Sequence, residues 1–320
     1  MRGIASLAMR DPRTARSEER LTSPLAYVPQ LPSVRPHHTS PESPAMTENS
    51  SAQFAGKIAV VTGGAQGLGE ATARLLAERG AAGIVITDRQ ADKGEAVARS
   101  LTEAGTPTIF VAADLADPAQ VATIIPAADK AFGRVDVLAN IAGLTDRGTI
   151  LDTDIALYDR MFAINVRAPF FLMQDAIRVM QRERIAGSIV NILSVNAYIG
   201  SPNLAAYSAS KGALMTLTKN TANAVNMMRI RVNGIILGWA DTPGEHVTLK
   251  TFHDAADDWL ASAEASRPFG QLLKPEGIAR LIAFLGGPES FPMTGSCVEY
   301  EQSVIGASSP LQSSGYPQKK

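Results

Sequence analysis

From Lys57 onward, short, uniformly apolar runs take turns with stretches of helical spacing, and that alternation constrains the fold more than any other feature of the chain. The runs are "KIAVVTGG", "GIVITDR", "TPTIFVAADL", "VDVLANIAG", "GSIVNILS", "RIRVNGIIL" and "GSCVEYE". Strands without a polar face must be covered on both sides, which a parallel sheet flanked by helices provides. Between them, "GEATARLLAERG" has helical periodicity and ends on Gly80, a C-capping residue. "ADKGEAVARSLTEAG" predicts a helix and "PAQVATIIPAADKAFG" a broken one. A long helix is predicted over roughly Asp154 to Arg184, and another from about Leu204 to Met228. Right-handed crossovers then give an α/β fold: a single doubly wound parallel seven-stranded sheet with helices on both faces.

That pattern places one domain at residues 53–306. The segment before it, "LTSPLAYVPQLPSVRPHHTSPESPAMTENSSAQ", is rich in Pro and Ser and has no period, so residues 1–52 read as a solvated tail. Its arginine-rich start suits a transit peptide, but Asp11, Glu18 and Glu19 oppose one, and the apolar core of a secretory signal is missing. Met46, just ahead of the first strand, is the expected natural start. His37 and His38 read as solvent-exposed and not as metal ligands. Residues 307–320 read as a second tail. Apolar residues make up 45% of the chain, enough for a substantial core, and the net charge of -1 gives no reason to expect nucleic acid or an anionic membrane as partner. No apolar run is long enough to span a bilayer. The single cysteine, Cys297, cannot form an intrachain disulfide and fits a reducing, cytoplasmic setting.

The first strand runs into "TGGAQGLG" and then a helix. Gly63, Gly67 and Gly69 let the backbone turn tightly and approach a pyrophosphate at the helix N-terminus, where free N–H groups and the dipole favour anions. The second strand ends in Asp88. A carboxylate there accepts hydrogen bonds from both ribose hydroxyls of NAD and repels the extra phosphate of NADP. Gln66, inside the turn, is not basic, whereas Arg89 could bind that phosphate. NAD is the expected cofactor and NADP the alternative. Asp114, ending the third strand, would sit near the adenine or cap the next turn. Asn140, Ala142 and Gly143, ending the fourth, would line the groove.

These pieces resemble the short-chain dehydrogenases/reductases over roughly Lys57 to Ser303. The matching residues are "TGGAQGLG", "NIAG", Asn165 in "FAINVRAPF", Ser194 in "IVNILS", and "YSASK", in matching order and spacing. The resemblance implies a Rossmann-type sheet, a nicotinamide cofactor, Asn165, Ser194, Tyr207 and Lys211 as working residues, and a homotetramer or homodimer. It adds Leu68, Leu115 and Thr242 to the cofactor contacts. Three departures stand out: Ile141 where a second Asn is usual, Leu237 for a common Pro, and "YEQS" where Asp-Gly-Gly is frequent.

Tyr207 and Lys211 stand one helical turn apart on one face, on the helix after the fifth strand, and Ser194 closes that strand. Hydride transfer between an alcohol carbon and a nicotinamide needs a proton to leave or join the oxygen. A free phenol, with a pKa of about 10, is a poor base near neutrality. A cation nearby stabilises phenolate and lowers that value. Tyr207 is therefore the expected general acid/base, Ser194 the group that holds the substrate oxygen, and Lys211 the electrostatic partner that also holds cofactor ribose. Small residues around the pair admit cofactor and a neighbouring helix. Pro169 lacks the N–H that the Asn165 carbonyl needs, so a kink is expected there, and the resemblance implies a proton-relaying water held by it.

The insertion "GWADTPGEHVTLKTFHDAADDWLASAEASRPFGQLL" is expected to form a helical lid over about residues 239–268, with Trp239 and His246 lining the substrate pocket and Trp259 and His253 as packing and surface. The expected substrate is a small polar alcohol or ketone: a polyol, sugar or hydroxy acid. Two other readings stand beside this one: a dinucleotide-sensing regulator on the same fold, and the epimerase/dehydratase branch, which the glycine spacing disfavours.

Overall fold

A computed structural model describes residues 52–307 of the 320. The expected start at Met46, the His37–His38 pair and nearly all of both tails lie outside the described residues. Seven strands are described: β1 (Ile58–Thr62), β2 (Gly83–Asp88), β3 (Thr108–Ala112), β4 (Val137–Asn140), β5 (Ser188–Ile192), β6 (Arg231–Leu237) and β7 (Cys297–Tyr300). They form one parallel sheet in the order β3-β2-β1-β4-β5-β6-β7. The direction of winding reverses between β1 and β4. Loops leaving the carboxyl ends of those two strands diverge to opposite faces, and a crevice opens there.

Alternation along each strand feeds two separate apolar layers. On one face, Ala59, Val61, Ile84 and Ile86 pack against Leu76 of α1 (Gly67–Glu78), Leu101 of α2 (Ala91–Glu103) and Ile282 of α9 (Pro275–Gly286). On the other, Val60, Val85, Leu138 and Ile189 meet Ile124 of α3 (Pro118–Phe132), Leu172 of α5 (Ala168–Arg182) and Ala222 of α6 (Ala205–Val225). Burial on both faces explains why these strands read as continuous apolar runs.

Two expectations change. The helix expected to be broken, α3, is continuous through its internal Pro126. Ile124, Ile125 and Ala128 are fully buried against the sheet, and that packing outweighs the one backbone bond a proline removes. The long helix expected from Asp154 to Arg184 is three pieces: α4 (Ile155–Phe162), a π turn over Ala163–Arg167, and α5 with Pro169 in its first turn. The Ala168 N–H reaches back five residues to the Ala163 carbonyl. The widened turn falls immediately before the proline, and Asn165 sits at its centre.

The insertion after β6 forms two helices, α7 (Pro243–His253) and α8 (Trp259–Ala265). They share a small apolar cluster of their own, with Leu249, Trp259, Ala263 and Leu272 buried and Trp239 packed against it. Among the described residues, no helix is long and apolar enough to cross a membrane.

Candidate active site

A cleft of about 1590 Å³ runs along the carboxyl edge of the sheet. It exceeds the volume of an ordinary small-molecule pocket, roughly 300–1,000 Å³, and has room for a dinucleotide and a second small molecule. The glycine turn lies at one end. Gly67 has φ +58°, the left-handed region that glycine enters without strain. At Gly69 an added Cβ would lie 2.0 Å from the Gly63 carbonyl oxygen, so only a bare backbone fits the first turn of α1. This close-packed turn exposes N–H groups at a helix N-terminus to the cleft, a cradle that fits a pyrophosphate. Asp88 stands beside it: Oδ2 accepts from the Ala65 N–H (3.4 Å) and Oδ1 from the Gln90 N–H (3.0 Å). Lys93 Nζ donates to Gln66 Oε1 at 2.8 Å, which brings a cation to the mouth of the turn.

At the other end, Ser194, Tyr207 and Lys211 all line the cleft. Ser194 lies just past β5 and caps a short 3-10 turn by accepting from the Asn196 N–H at 3.2 Å. This leaves its own O–H free to donate. Tyr207 and Lys211 occupy the first two turns of α6, with Nζ 5.9 Å from the phenol ring centroid. Lys211 is 3% exposed, and its recorded hydrogen bond goes to the Ile192 carbonyl at 2.7 Å. An ammonium carries three donors, so this one has capacity left for hydroxyls entering the cleft. Burial pulls its pKa down to about 8. Burial also pushes the Tyr207 phenol above its usual value, while the Ser194 hydroxyl and, more weakly, the Arg147 guanidinium act the other way and Glu245 reinforces the rise.

The model for the short chain dehydrogenases matches residues 57–251. The chain is 36% identical over 233 residues to the cis-4-hydroxycyclohexanecarboxylate dehydrogenase of Sinomonas cyclohexanicum, covering 72% of this chain and 90% of that protein. The chain belongs to the short-chain dehydrogenase/reductase family. Solved structures of similar shape include L-sorbose reductase from Gluconobacter frateurii with NADPH and L-sorbose, at 29% identity and a TM-score of 0.75 over 80% of this chain and 99% of that one. Another is the 3-ketoacyl-(acyl-carrier-protein) reductase of Brucella melitensis with NADH, at 31% identity and a TM-score of 0.69 over 78% of this chain and 98% of that one. Membership makes the chain an oxidoreductase whose fold binds a nicotinamide dinucleotide.

Most of the residues singled out from the sequence of this short-chain dehydrogenase/reductase line the cleft: Gly63, Gln66, Gly67, Leu68, Gly69, Asp88, Asp114, Leu115, Ala142, Gly143, Ser194, Tyr207, Lys211, Trp239 and Thr242. Asp114 does two jobs there, since its Oδ1 also closes a turn by accepting from the Ala116 N–H at 2.9 Å. Thr242 caps α7, and the neighbouring Pro243 abuts Gly67, so α7 starts against the glycine turn.

Two expectations are corrected and a third is extended. Asn140 does not line the cleft. It is 3% exposed, and its Nδ2 donates to Asn191 Oδ1 at 2.8 Å within the sheet, because a strand-end side chain adjoining β5 finds its partner sideways. His246 does not line it either. Its Nε2 pairs with Asp241 Oδ1 at 2.8 Å, and its ring packs edge-on against Trp259. One residue earlier on the same helix, Glu245 faces the cleft and accepts from Trp239 Nε1 at 2.9 Å. Third, to the expected effect of Lys211 on Tyr207 the site adds burial, which one turn of helical spacing does not reveal and which moves the phenol up and pushes Lys211 itself toward neutrality.

Asn165 is fully buried behind the cleft wall. Its Oδ1 accepts from the Leu144 N–H at 2.8 Å, and its Nδ2 donates to the Leu144 carbonyl at 2.9 Å and to Ser210 Oγ at 3.0 Å. The sequence reasoning missed Thr62, whose Oγ1 accepts from the Ile141 and Ala142 N–H groups at 2.9 and 3.0 Å and so pins the floor of the groove. It also missed Lys93, Arg147, Asn196 and Glu245 in the lining. Arg147 and Asn196 could have been found, because each follows closely on a strand end at the carboxyl edge, where loop side chains converge.

Proposed function

We propose that this protein interconverts a secondary alcohol and its ketone on a small polar substrate, preferring NAD to NADP. The observation that carries the reading is the convergence of Ser194, Tyr207 and Lys211 in the same cleft as the glycine turn. A bound nicotinamide dinucleotide supplies the hydride acceptor or donor and, when oxidised, a positive charge. Gly63, Gly67 and Gly69 would cradle its pyrophosphate, Asp88 its ribose hydroxyls, and Lys211 the second ribose. Ser194 holds the substrate oxygen, and Tyr207, as phenolate, takes the alcohol proton on oxidation and, as phenol, donates one to the oxygen on reduction. Asn165 acts by positioning, since it fixes Leu144 and touches no space open to substrate.

Preference for NAD rests on the Asp88 carboxylate, which repels a 2′-phosphate. Arg89 and Lys93 are the counterweight, and Lys93 is already engaged with Gln66. The relative that acts on cis-4-hydroxycyclohexanecarboxylate keeps hydroxy acids among the candidate substrates beside polyols and sugars. α7 and α8 serve as the lid. A homotetramer or homodimer belongs to the same proposal, supported by exposed Ile155, Tyr158, Phe170 and Phe171 on α4 and α5. So does a cytoplasmic location, on the lone Cys297.

The test is turnover of polyols, sugars, hydroxy acids and their ketones with NAD and with NADP, followed by nicotinamide absorbance. Activity should favour NAD, and Tyr207→Phe should lower kcat by at least about a hundredfold while NADH binding persists. Silence on every substrate, with NADH still bound tightly, would overturn the reading in favour of a dinucleotide sensor.

A further inference from the structure

Arg147, on the loop between β4 and α4, is a cation at the reacting end of the cleft that is not fully committed. The other cations lining it lie at the far end or have other roles. Arg89 and Lys93 flank Asp88 at the far end, and Arg160 pairs with Asp114 at 3.5 Å. Lys211 donates to the Ile192 carbonyl and keeps its remaining donors for the cofactor ribose, and Arg267 lies over the Trp239 ring at 5.3 Å with Nε and one terminal nitrogen on the Ser266 hydroxyl. Arg147 itself donates from Nε to His253 Nε2 at 3.1 Å and from one terminal nitrogen to the Thr145 carbonyl. Its other terminal nitrogen meets Glu245 Oε1 only at 3.4 Å. Charge-assisted contacts of this kind prefer about 2.7–2.9 Å, and the same oxygen already accepts from Trp239 Nε1 at 2.9 Å. Three of the five guanidinium N–H groups are thus used, one of them weakly. The side chain is 16% exposed and lines the cleft. The guanidinium also lies close enough to Tyr207 to act on its charge.

We propose that Arg147 selects the substrate by gripping a carboxylate with its free N–H pair, so that hydroxy- and oxocarboxylic acids are the preferred substrates. The proposal rests on the alcohol–ketone reading above and deepens it. A planar guanidinium matches a carboxylate with two parallel hydrogen bonds, which neither Lys nor a neutral amide reproduces. A polyol or sugar offers no such partner and would leave the fork incomplete.

The test compares each acid with its own carboxamide, which keeps the shape and removes the charge. Lactate and 4-hydroxycyclohexanecarboxylate are the probes, with NAD and NADP. The wild-type enzyme should favour acid over amide in kcat/KM. In Arg147→Gln that ratio should fall on the order of a hundredfold, the usual consequence of removing one partner from a buried charged pair. Arg147→Lys should fall between, since it keeps the charge and loses the fork. Any effect of Arg147 on the Tyr207 proton is common to acid and amide and cancels in the ratio. Melting temperatures are measured alongside, and if Arg147→Gln does not fold, Arg147→Lys decides. A wild-type enzyme indifferent between acid and amide, or a ratio unmoved in either variant, overturns the assignment and points to a neutral polyol or sugar. An enzyme that transfers hydride to or from no alcohol or ketone fails the underlying reading instead.

Discussion

Replacing Lys211 by Met should make the protein more stable and inactive at once. The lysine is 3% exposed, and its recorded bonding partner is the Ile192 carbonyl, which carries no charge. Its pKa in the fold is about 8, against 10.5 for an ordinary lysine. At neutral pH, holding it charged in the fold therefore costs about 3 kcal/mol. Met keeps most of the packing, and the lost hydrogen bond to a charged group returns about 1.5–3 kcal/mol, so the variant should gain up to about 1.5 kcal/mol. For a domain of this size that is a rise of up to roughly 3–5 °C in Tm. The sign follows from proton counts. Between pH 8 and 10.5 the folded protein binds fewer protons than the unfolded chain, so wild-type stability rises with pH through that window. The advantage of Met is largest at or below pH 8 and closes toward pH 10.5. Tyr207, whose value is raised, begins to matter above pH 10 and does so in both proteins. Differential scanning fluorimetry across that range, without dinucleotide, reads the gap, and steady-state turnover reads the loss. A Met variant that melts several degrees lower at pH 7, or a gap that stays constant to pH 10.5, would refute the reasoning.

Two further outcomes can be checked directly. Asp88→Asn removes the charge that opposes a 2′-phosphate while leaving Arg89 and Lys93 in place, and should move the NADP-to-NAD ratio of kcat/KM toward NADP by about tenfold or more; an unchanged ratio would remove Asp88 from cofactor choice. Arg231, 8% exposed, donates to Ser290 Oγ at 2.6 Å and to the Gly287 carbonyl at 2.7 Å. Arg231→Met removes both contacts while Ser290 Oγ still donates to the Leu285 and Gly287 carbonyls, and should cost about 1–2 kcal/mol in urea unfolding, with a change below about 0.5 kcal/mol counting against that role.

The sheet was legible because its strands are buried on both faces: Val60 and Val61 serve opposite layers, and neither position tolerates a polar residue without a partner. The glycine turn and the Ser194–Tyr207–Lys211 set were legible because each is tied to a strand end or to helical spacing. The errors lie where a local pattern leaves direction open. Pro126 has the same chemistry as Pro169, yet only the second is accompanied by a change of helix type, since Pro126 is locked into a buried apolar row. Asn140 and His246 are polar groups near the cleft that found partners elsewhere, in Asn191 and Asp241. Neighbouring positions on α7 diverge in the same way: Glu245 faces the cleft and His246 does not, and only the seat of α7 against Trp239 and Trp259 decides which. Electrostatics was the least legible, because one helical turn of separation says nothing about how much protein surrounds each group.

The amide of Asn165 meets both the N–H and the C=O of Leu144, so a single side chain does for that loop what an adjoining strand would do for a sheet. An aspartate there would be an isostere in outline and an opposite in polarity, presenting an anionic oxygen to a carbonyl where a nitrogen now donates. The contour of the cleft wall at Gly143 and Leu144 therefore hangs on the identity of one atom, set at the middle of the one widened helical turn among the described residues.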